Sequence, residues 1–202
     1  MPNIPKNRDS ISLYKIFSAI RVIASGSTRK ADAYLKKFTD IHLDTLERVT
    51  GKKISSFILD IDDCIAPDKA PILPENIQKI KDLLSENICI GVYSNSLLEE
   101  RLIPLQHLGV QIYAGTIPKP HPRGFLEACA HFQFQPDETW MIGENPITDG
   151  GALRVLGGTI FIEPIPEVKL KKTMSLKRAL FVALRRLAIW RTLYRNAAIF
   201  RG

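Results

Sequence analysis

Short apolar stretches alternate with amphipathic ones between residues 55 and 164. The short stretches are rich in Ile, Val, Phe or Tyr and are bounded by Gly, Pro, Asn or Asp, which is typical of buried strands. We predict five strands, at 57–62, 89–94, 110–114, 139–142 and 159–162. Helices are predicted between them, near 74–86, 97–108, 121–132 and 148–156. This alternation predicts an α/β fold, a doubly wound parallel five-stranded sheet.

Two further segments flank this α/β region. Residues 9–50 have a helical pattern in two pieces, interrupted at Ser25-Gly26-Ser27. Residues 167–201 are predicted to form a basic amphipathic helix, since one stripe of apolar side chains recurs at helical spacing. The stripe consists of Leu176, Leu180, Ala183, Leu187, Trp190, Tyr194 and Ala198. We therefore expect an N-terminal helical extension (1–52), a core domain (53–166) and a basic C-terminal helix (167–202).

Charge is distributed unevenly along the chain. The net charge is +7, yet residues 168–202 hold ten Lys or Arg and no Asp or Glu, which leaves a net charge of −3 for the rest. This asymmetry indicates an anionic partner for the C-terminal segment. The three cysteines are too few and too widely spaced for a disulfide framework or a zinc site, so we expect a cytoplasmic protein. No apolar stretch is long enough to predict a membrane span.

Acidic and polar side chains collect where the predicted strands end. Because the carboxyl ends of parallel strands meet at one edge of a sheet, we expect these side chains to lie close together. Three acids within four residues at the end of a buried strand are costly unless a cation is present. Their oxygens suit Mg²⁺, while a lysine and a serine could hold a phosphoryl group. The residues concerned are Asp60, Asp62, Asp63, Ser94, Asn95, Lys119, Glu144 and Asp149.

In this order the residues resemble the four motifs of the haloacid dehalogenase superfamily of phosphatases. Asp60-Ile61-Asp62-Asp63-Cys64 resembles the first motif, Asp-x-Asp-x-(Thr/Val), and Tyr93-Ser94-Asn95 resembles the second. Lys119-Pro120 resembles the third and residues 143–149 the fourth, although the fourth usually begins Gly-Asp and here begins Gly143-Glu144. The resemblance covers residues 55–163.

The resemblance implies a role for each of these residues. Asp60 would be the nucleophile that attacks phosphorus, and Asp62 the general acid and base. The Asp60 side chain, the Asp62 backbone carbonyl and Asp149 would hold Mg²⁺, with Glu144 as a further candidate ligand. The implied phosphate-binding residues are Ser94, Asn95 and Lys119.

The intervals between the motifs predict a core without a cap domain. Only 31 residues separate Asp63 from Asn95, and 23 separate Asn95 from Lys119. Capless members tend to act on large or surface-presented substrates, and the motifs most resemble those of phosphatidylglycerophosphate phosphatases and their bacterial YqeG-type relatives. A basic helix with aromatic residues suits an anionic bilayer surface. We therefore expect conversion of phosphatidylglycerophosphate to phosphatidylglycerol, with 168–202 bound peripherally to the inner membrane face.

Several alternatives stay open from the sequence. The same chemistry could serve a soluble phosphomonoester such as a sugar phosphate or nucleotide, with the basic helix packed on the core domain. A non-catalytic scaffold of the same fold is a second alternative, given Glu144. A receiver domain is disfavoured, because its phosphate-accepting Asp ends the third strand and here that strand ends in Tyr113-Ala114-Gly115. We do not expect nucleic acid as a partner, since no RNA-binding motif accompanies the basic segment.

Overall fold

In the part of the chain that the structure describes, six parallel strands form one sheet. The computed structural model describes residues 20, 31–95, 99–115, 117–165, 183–184 and 187. In chain order the strands are β1 (Ala33–Leu35), β2 (Ser56–Leu59), β3 (Cys89–Val92), β4 (Gln111–Ile112), β5 (Thr139–Gly143) and β6 (Gly158–Ile162). Their spatial order is β1-β6-β5-β2-β3-β4, and every neighbouring pair is parallel. The prediction of a parallel α/β sheet is confirmed.

The presence of strand β1 contradicts two predictions made from the sequence. It lies within the segment predicted to be helical (9–50) and adds a sixth strand to the five expected. Asp32 fixes its start, because its backbone N–H donates to Thr159 and its side chain accepts from the N–H of Thr159, each at 3.0 Å. Ala33 and Leu35 are both buried, so this three-residue edge strand is held by pairing with β6 and by core packing.

Four α-helices connect the described strands. They are α1 (Leu43–Thr50), α2 (Pro74–Ser85), α3 (Glu99–His107) and α4 (Pro122–Phe132). The helices α2 and α4 begin with the prolines expected at their first turns. The stretch predicted as a helix at 148–156 is a 3-10 helix, Asp149–Arg154. Most of the predicted C-terminal helix lies outside the described residues, of which Ala183, Leu184 and Leu187 are helical.

Both faces of the sheet are covered, as a doubly wound fold requires. Phe57 and Leu59 of β2 face one core cluster, which also contains buried residues of α2 and α3. Ile58, between them, faces a second cluster with Phe125 and Phe132 of α4. Successive strand residues point to opposite faces, so each strand contributes to both clusters. Because both faces of the sheet are buried, we expect clustered polar side chains at the carboxyl ends of the strands. None of the described helices is both long and apolar enough to cross a membrane.

Candidate active site

Three carboxylates converge at the carboxyl ends of the adjacent strands β2 and β5. Asp60 follows β2, Glu144 follows β5, and Asp149 begins the 3-10 helix after β5. One carboxylate oxygen from each residue lies within 4.8 Å of the corresponding oxygens of the other two. The register brings them together, because Leu59 pairs with Ile142 and the Asp60 N–H donates to the Ile142 carbonyl at 2.9 Å. All three residues are buried, so the chain concentrates negative charge away from water.

Lys119 lies between two of these acids. Its Nζ is 2.7 Å from Asp60 Oδ2 and 2.6 Å from Asp149 Oδ1, and the residue is 1% exposed. Burial works against the charged ammonium, but the charges of Asp149 and Asp60 outweigh it and hold the pKa of Lys119 well above its ordinary value. Lys119 is therefore a fixed cation at the centre of the site.

The cluster has more negative than positive charge. Burial is the largest cause of a raised pKa at Asp149; the ion pair with Lys119 opposes the rise and the charge of Asp60 adds to it. The pKa of the Cys64 thiol is also raised, first by burial and then by the negative charges of Glu144, Asp60 and Asp149. Three carboxylates and one ammonium have a formal charge of −2. A divalent cation fits this oxygen set in both charge and ligand type.

The loop that carries Asp149 is tightly constrained. The backbone N–H of Asn145 donates to Asp149 Oδ2 at 3.0 Å, and the Asn145 side chain accepts from the N–H of Ile147 at 3.1 Å. A Cβ on Gly143 would lie 2.2 Å from Asp149 Oδ2, and one on Gly151 would lie 2.1 Å from the Pro120 carbonyl. Glycine at these two positions lets the loop approach β5 and the segment after Lys119 closely.

Asn95 braces Lys119. Its Oδ1 accepts the backbone N–H of Lys119 at 3.0 Å, and its Nδ2 donates to the Lys119 carbonyl at 3.4 Å. The neighbouring Ser94 is buried just beyond β3, whose last residue Val92 pairs with Leu59 of β2. Ser94 therefore follows the strand next to that of Asp60. Contact of Ser94 and Asn95 with phosphate stays a prediction.

Asp62 has different surroundings from Asp60. Its Oδ1 accepts from Arg101 Nη1 at 2.6 Å and from the backbone N–H of Lys69 at 3.0 Å. The Asp62 side chain is 22% exposed, whereas that of Asp60 is 11% exposed. The two carboxylates expected to share the chemistry thus have different partners and different access to solvent. Coordination of a metal by the Asp62 backbone carbonyl stays a prediction.

The contact with Arg101 was not expected from the sequence. Arg101 belongs to α3 and is separated from Asp62 by 39 positions, and Glu99-Glu100-Arg101 has the composition of an ordinary exposed helix turn. The Arg101 side chain is nevertheless only 5% exposed. A mixed-charge turn next to the Ser94-Asn95 motif is the only trace of this contact in the sequence.

Comparison with known proteins supplies a family. A family model described as a haloacid dehalogenase-like hydrolase matches residues 15–157. No curated protein sequence matches the chain.

Several solved structures are similar to this chain. One is the cobalt-bound deoxy-D-mannose-octulosonate 8-phosphate phosphatase from Haemophilus influenzae, with 15% identity, a TM-score of 0.47, and coverage of 69% of this chain and 90% of that one. Another is 3-deoxy-D-manno-octulosonate 8-phosphate phosphatase from Yersinia pestis, with 14% identity, a TM-score of 0.42, and coverage of 69% and 82%. A hydrolase from Deinococcus radiodurans R1 with bound phosphate and sodium has 22% identity, a TM-score of 0.43, and coverage of 65% and 55%.

Proposed function

The chain belongs to the haloacid dehalogenase-like hydrolase family, and we propose that it is a Mg²⁺-dependent phosphomonoester hydrolase that forms an aspartyl-phosphate on Asp60. One observation carries the proposal: Asp60 lies in a buried cluster with Lys119, Glu144 and Asp149 at the strand ends. Such a cluster offers a nucleophile, a fixed cation and an oxygen site for a metal within a few ångströms.

The first half-reaction transfers the phosphoryl group to Asp60. A carboxylate oxygen of Asp60 attacks phosphorus, and the bond from phosphorus to the leaving oxygen breaks as Asp62 gives that oxygen a proton. Lys119 supplies positive charge toward the phosphoryl oxygens, and Ser94 supplies a hydroxyl donor. The Asp60 carboxylate is oriented for this attack, because the N–H of Ile61 donates to Oδ1 at 2.9 Å and Lys119 holds Oδ2.

The second half-reaction releases phosphate. Asp62, now deprotonated, takes a proton from water, the water oxygen attacks phosphorus, and the bond between phosphorus and Asp60 breaks. Mg²⁺ would be held by Asp60, Asp149 and the Asp62 carbonyl, with Glu144 as a further ligand, and would supply charge neutralisation for the acids and the phosphate. The longer Glu144 side chain suits this role because its carboxylate lies with those of Asp60 and Asp149.

The test of this chemistry is Mg²⁺-dependent phosphate release by wild type and Asp60→Asn. We expect Asp60→Asn to lose at least about 10³-fold in kcat, since it removes the nucleophile. The matched control is Asp82→Asn, an exposed position on α2 where the Oδ1 that accepts from Gln78 is retained. Equal rates for Asp60→Asn and wild type would refute the nucleophile.

For the substrate, we favour phosphatidylglycerophosphate presented on an anionic membrane to a core without a cap. Between β2 and β3 the chain forms α2, and between β3 and β4 it forms α3. Ile165, just before the basic segment, donates its N–H to the Asp63 carbonyl at 2.8 Å. Ile165, three positions before the basic segment in sequence, thus lies beside the loop that follows β2 and carries the proposed nucleophile. Leu187 of the predicted apolar stripe is 43% exposed, as a membrane-facing side chain would be.

Vesicle flotation tests this substrate class. Each basic side chain near an anionic surface contributes about 1 kcal/mol, so Arg185→Gln with Arg186→Gln should weaken binding to anionic vesicles by about 30-fold. The control pair, Lys36→Gln with Lys37→Gln, removes two exposed charges directly after β1 and should bind as wild type does. Absence of wild-type binding to anionic vesicles would contradict the proposal of a lipid substrate and favour a soluble phosphomonoester.

A further inference from the structure

The contact between Arg101 and Asp62 links α3 to the proposed general acid. Within the described ranges, both hydrogen bonds to the Asp62 carboxylate fall on the same oxygen, Oδ1: one from Arg101 Nη1 and one from the backbone N–H of Lys69. The two donors come from different parts of the chain, α3 and the loop after β2. Two hydrogen bonds from different directions hold Oδ1 in place, so the carboxylate has little freedom to rotate. The position of the other oxygen, Oδ2, is therefore restricted as well.

We propose that Arg101 is the residue that positions Asp62 for proton transfer to the leaving group. This inference rests on the proposed function, because it needs Asp62 to be the general acid. Arg101 suits such a role, since its side chain is only 5% exposed. Its planar guanidinium group is therefore held in place by burial as well as by the contact with Asp62. A misplacement of a reacting group by about 1 Å can cost about 100-fold in rate.

The positioning role differs from two simpler roles in what it does to different substrates. If Arg101 only docked α3 on the sheet, its loss would slow every substrate alike. If Arg101 bound the phosphate directly, its loss would also affect all phosphomonoesters alike, because they share that group. A residue that acts through the general acid matters most when the leaving oxygen needs a proton.

The experiment therefore compares two esters with different leaving groups. The phenolate of p-nitrophenyl phosphate departs without a proton, whereas the alkoxide of glycerol 2-phosphate needs one. The quantity to measure is kcat/KM, which includes the leaving-group step and excludes hydrolysis of the aspartyl-phosphate. For Arg101→Met, which keeps the apolar stem, we expect a loss of about 10- to 100-fold on glycerol 2-phosphate and less than about 3-fold on p-nitrophenyl phosphate. The control Arg48→Met, at an exposed position of α1, should change neither.

A double-mutant cycle keeps the test decisive if Arg101→Met is partly unfolded. Added to Asp62→Asn, Arg101→Met should cause no further loss on glycerol 2-phosphate, because the acid that it positions is already gone. Equal losses of Arg101→Met on the two esters, or multiplied losses in the double variant, would overturn the positioning role of Arg101. Absence of Mg²⁺-dependent phosphate release by the wild type from both esters and from phosphatidylglycerophosphate in mixed micelles would overturn the proposed function, and this inference with it.

Discussion

Gly143→Ala is expected to displace the carboxylate of Asp149, the proposed metal ligand, without changing any charged residue. An added Cβ would lie 2.2 Å from Asp149 Oδ2 and 2.4 Å from its Cγ, whereas an ordinary contact begins near 3.4 Å. The carboxylate would therefore have to move by roughly 1 Å, against its hydrogen bond from the Asn145 N–H and its ion pair with Lys119. Asp149 is fully buried, so little space is available for that movement.

The magnitude follows from these contacts. Overpacking of this kind costs about 1–3 kcal/mol of unfolding free energy, which corresponds to a loss of roughly 2–12 °C in Tm for a chain of this size. Displacing the carboxylate should also weaken the apparent affinity for Mg²⁺ by about 10- to 100-fold, as loss of metal-site support typically does. The assays are thermal unfolding and the Mg²⁺ concentration that gives half-maximal phosphate release.

Gly150→Ala is the matched control for this substitution. The nearest atom to its added Cβ is Leu153 Cδ1 at 3.9 Å, an ordinary van der Waals contact. It should leave both Tm and the Mg²⁺ requirement close to those of wild type. If Gly143→Ala behaves like Gly150→Ala, the close packing of the Asp149 loop against β5 is wrong.

Two further predictions concern the buried cysteines and the hydrogen bonds between the Asn95 side chain and the Lys119 backbone. Burial raises the pKa of Cys129 to about 11 and that of Cys64 well above its ordinary value, while Cys89 is exposed. At pH 8 we therefore expect one thiol to react with a thiol reagent in the native protein and three after unfolding; rapid reaction of all three in the native protein would contradict the packing. Asn95→Ala removes both side-chain hydrogen bonds to the Lys119 backbone and should lower kcat about 10-fold at unchanged global fold, checked by kinetics and circular dichroism. Wild-type kcat for Asn95→Ala would show that Lys119 does not need these two hydrogen bonds for its role.

The parts of the fold that follow local patterns could be predicted from the sequence. The strands β2, β3 and β5 are short apolar runs with polar boundaries, and their ends place Asp60 and Glu144 at one edge. The strand β1 could not be predicted, because three residues at a sheet edge carry too little periodicity and depend on pairing with β6. Residues 149–154 form a 3-10 helix, where Gly151 has no room for a side chain against Pro120.

The site was predictable as a set of residues but not as a network of contacts. Motif order brings Asp60, Lys119 and Asp149 to one place, yet it does not reveal that Lys119 contacts both acids. The partnership of Arg101 with Asp62 depends on how α3 packs across 39 positions of sequence, and no local pattern encodes that distance. The structure thus shows a second group of contacting residues, around Asp62, in addition to the group around Asp60 that the motifs predict.

Trapping the aspartyl-phosphate tests the central claim most directly. The wild-type protein is mixed with Mg²⁺ and a phosphomonoester, quenched during turnover and reduced with borohydride, which converts an aspartyl-phosphate to homoserine; peptide mass spectrometry then locates the change. We expect it at position 60 only, only with both Mg²⁺ and substrate, and not in Asp60→Asn. Reduction at another carboxylate, or at none while phosphate is being released, would contradict the assignment of Asp60 as the nucleophile.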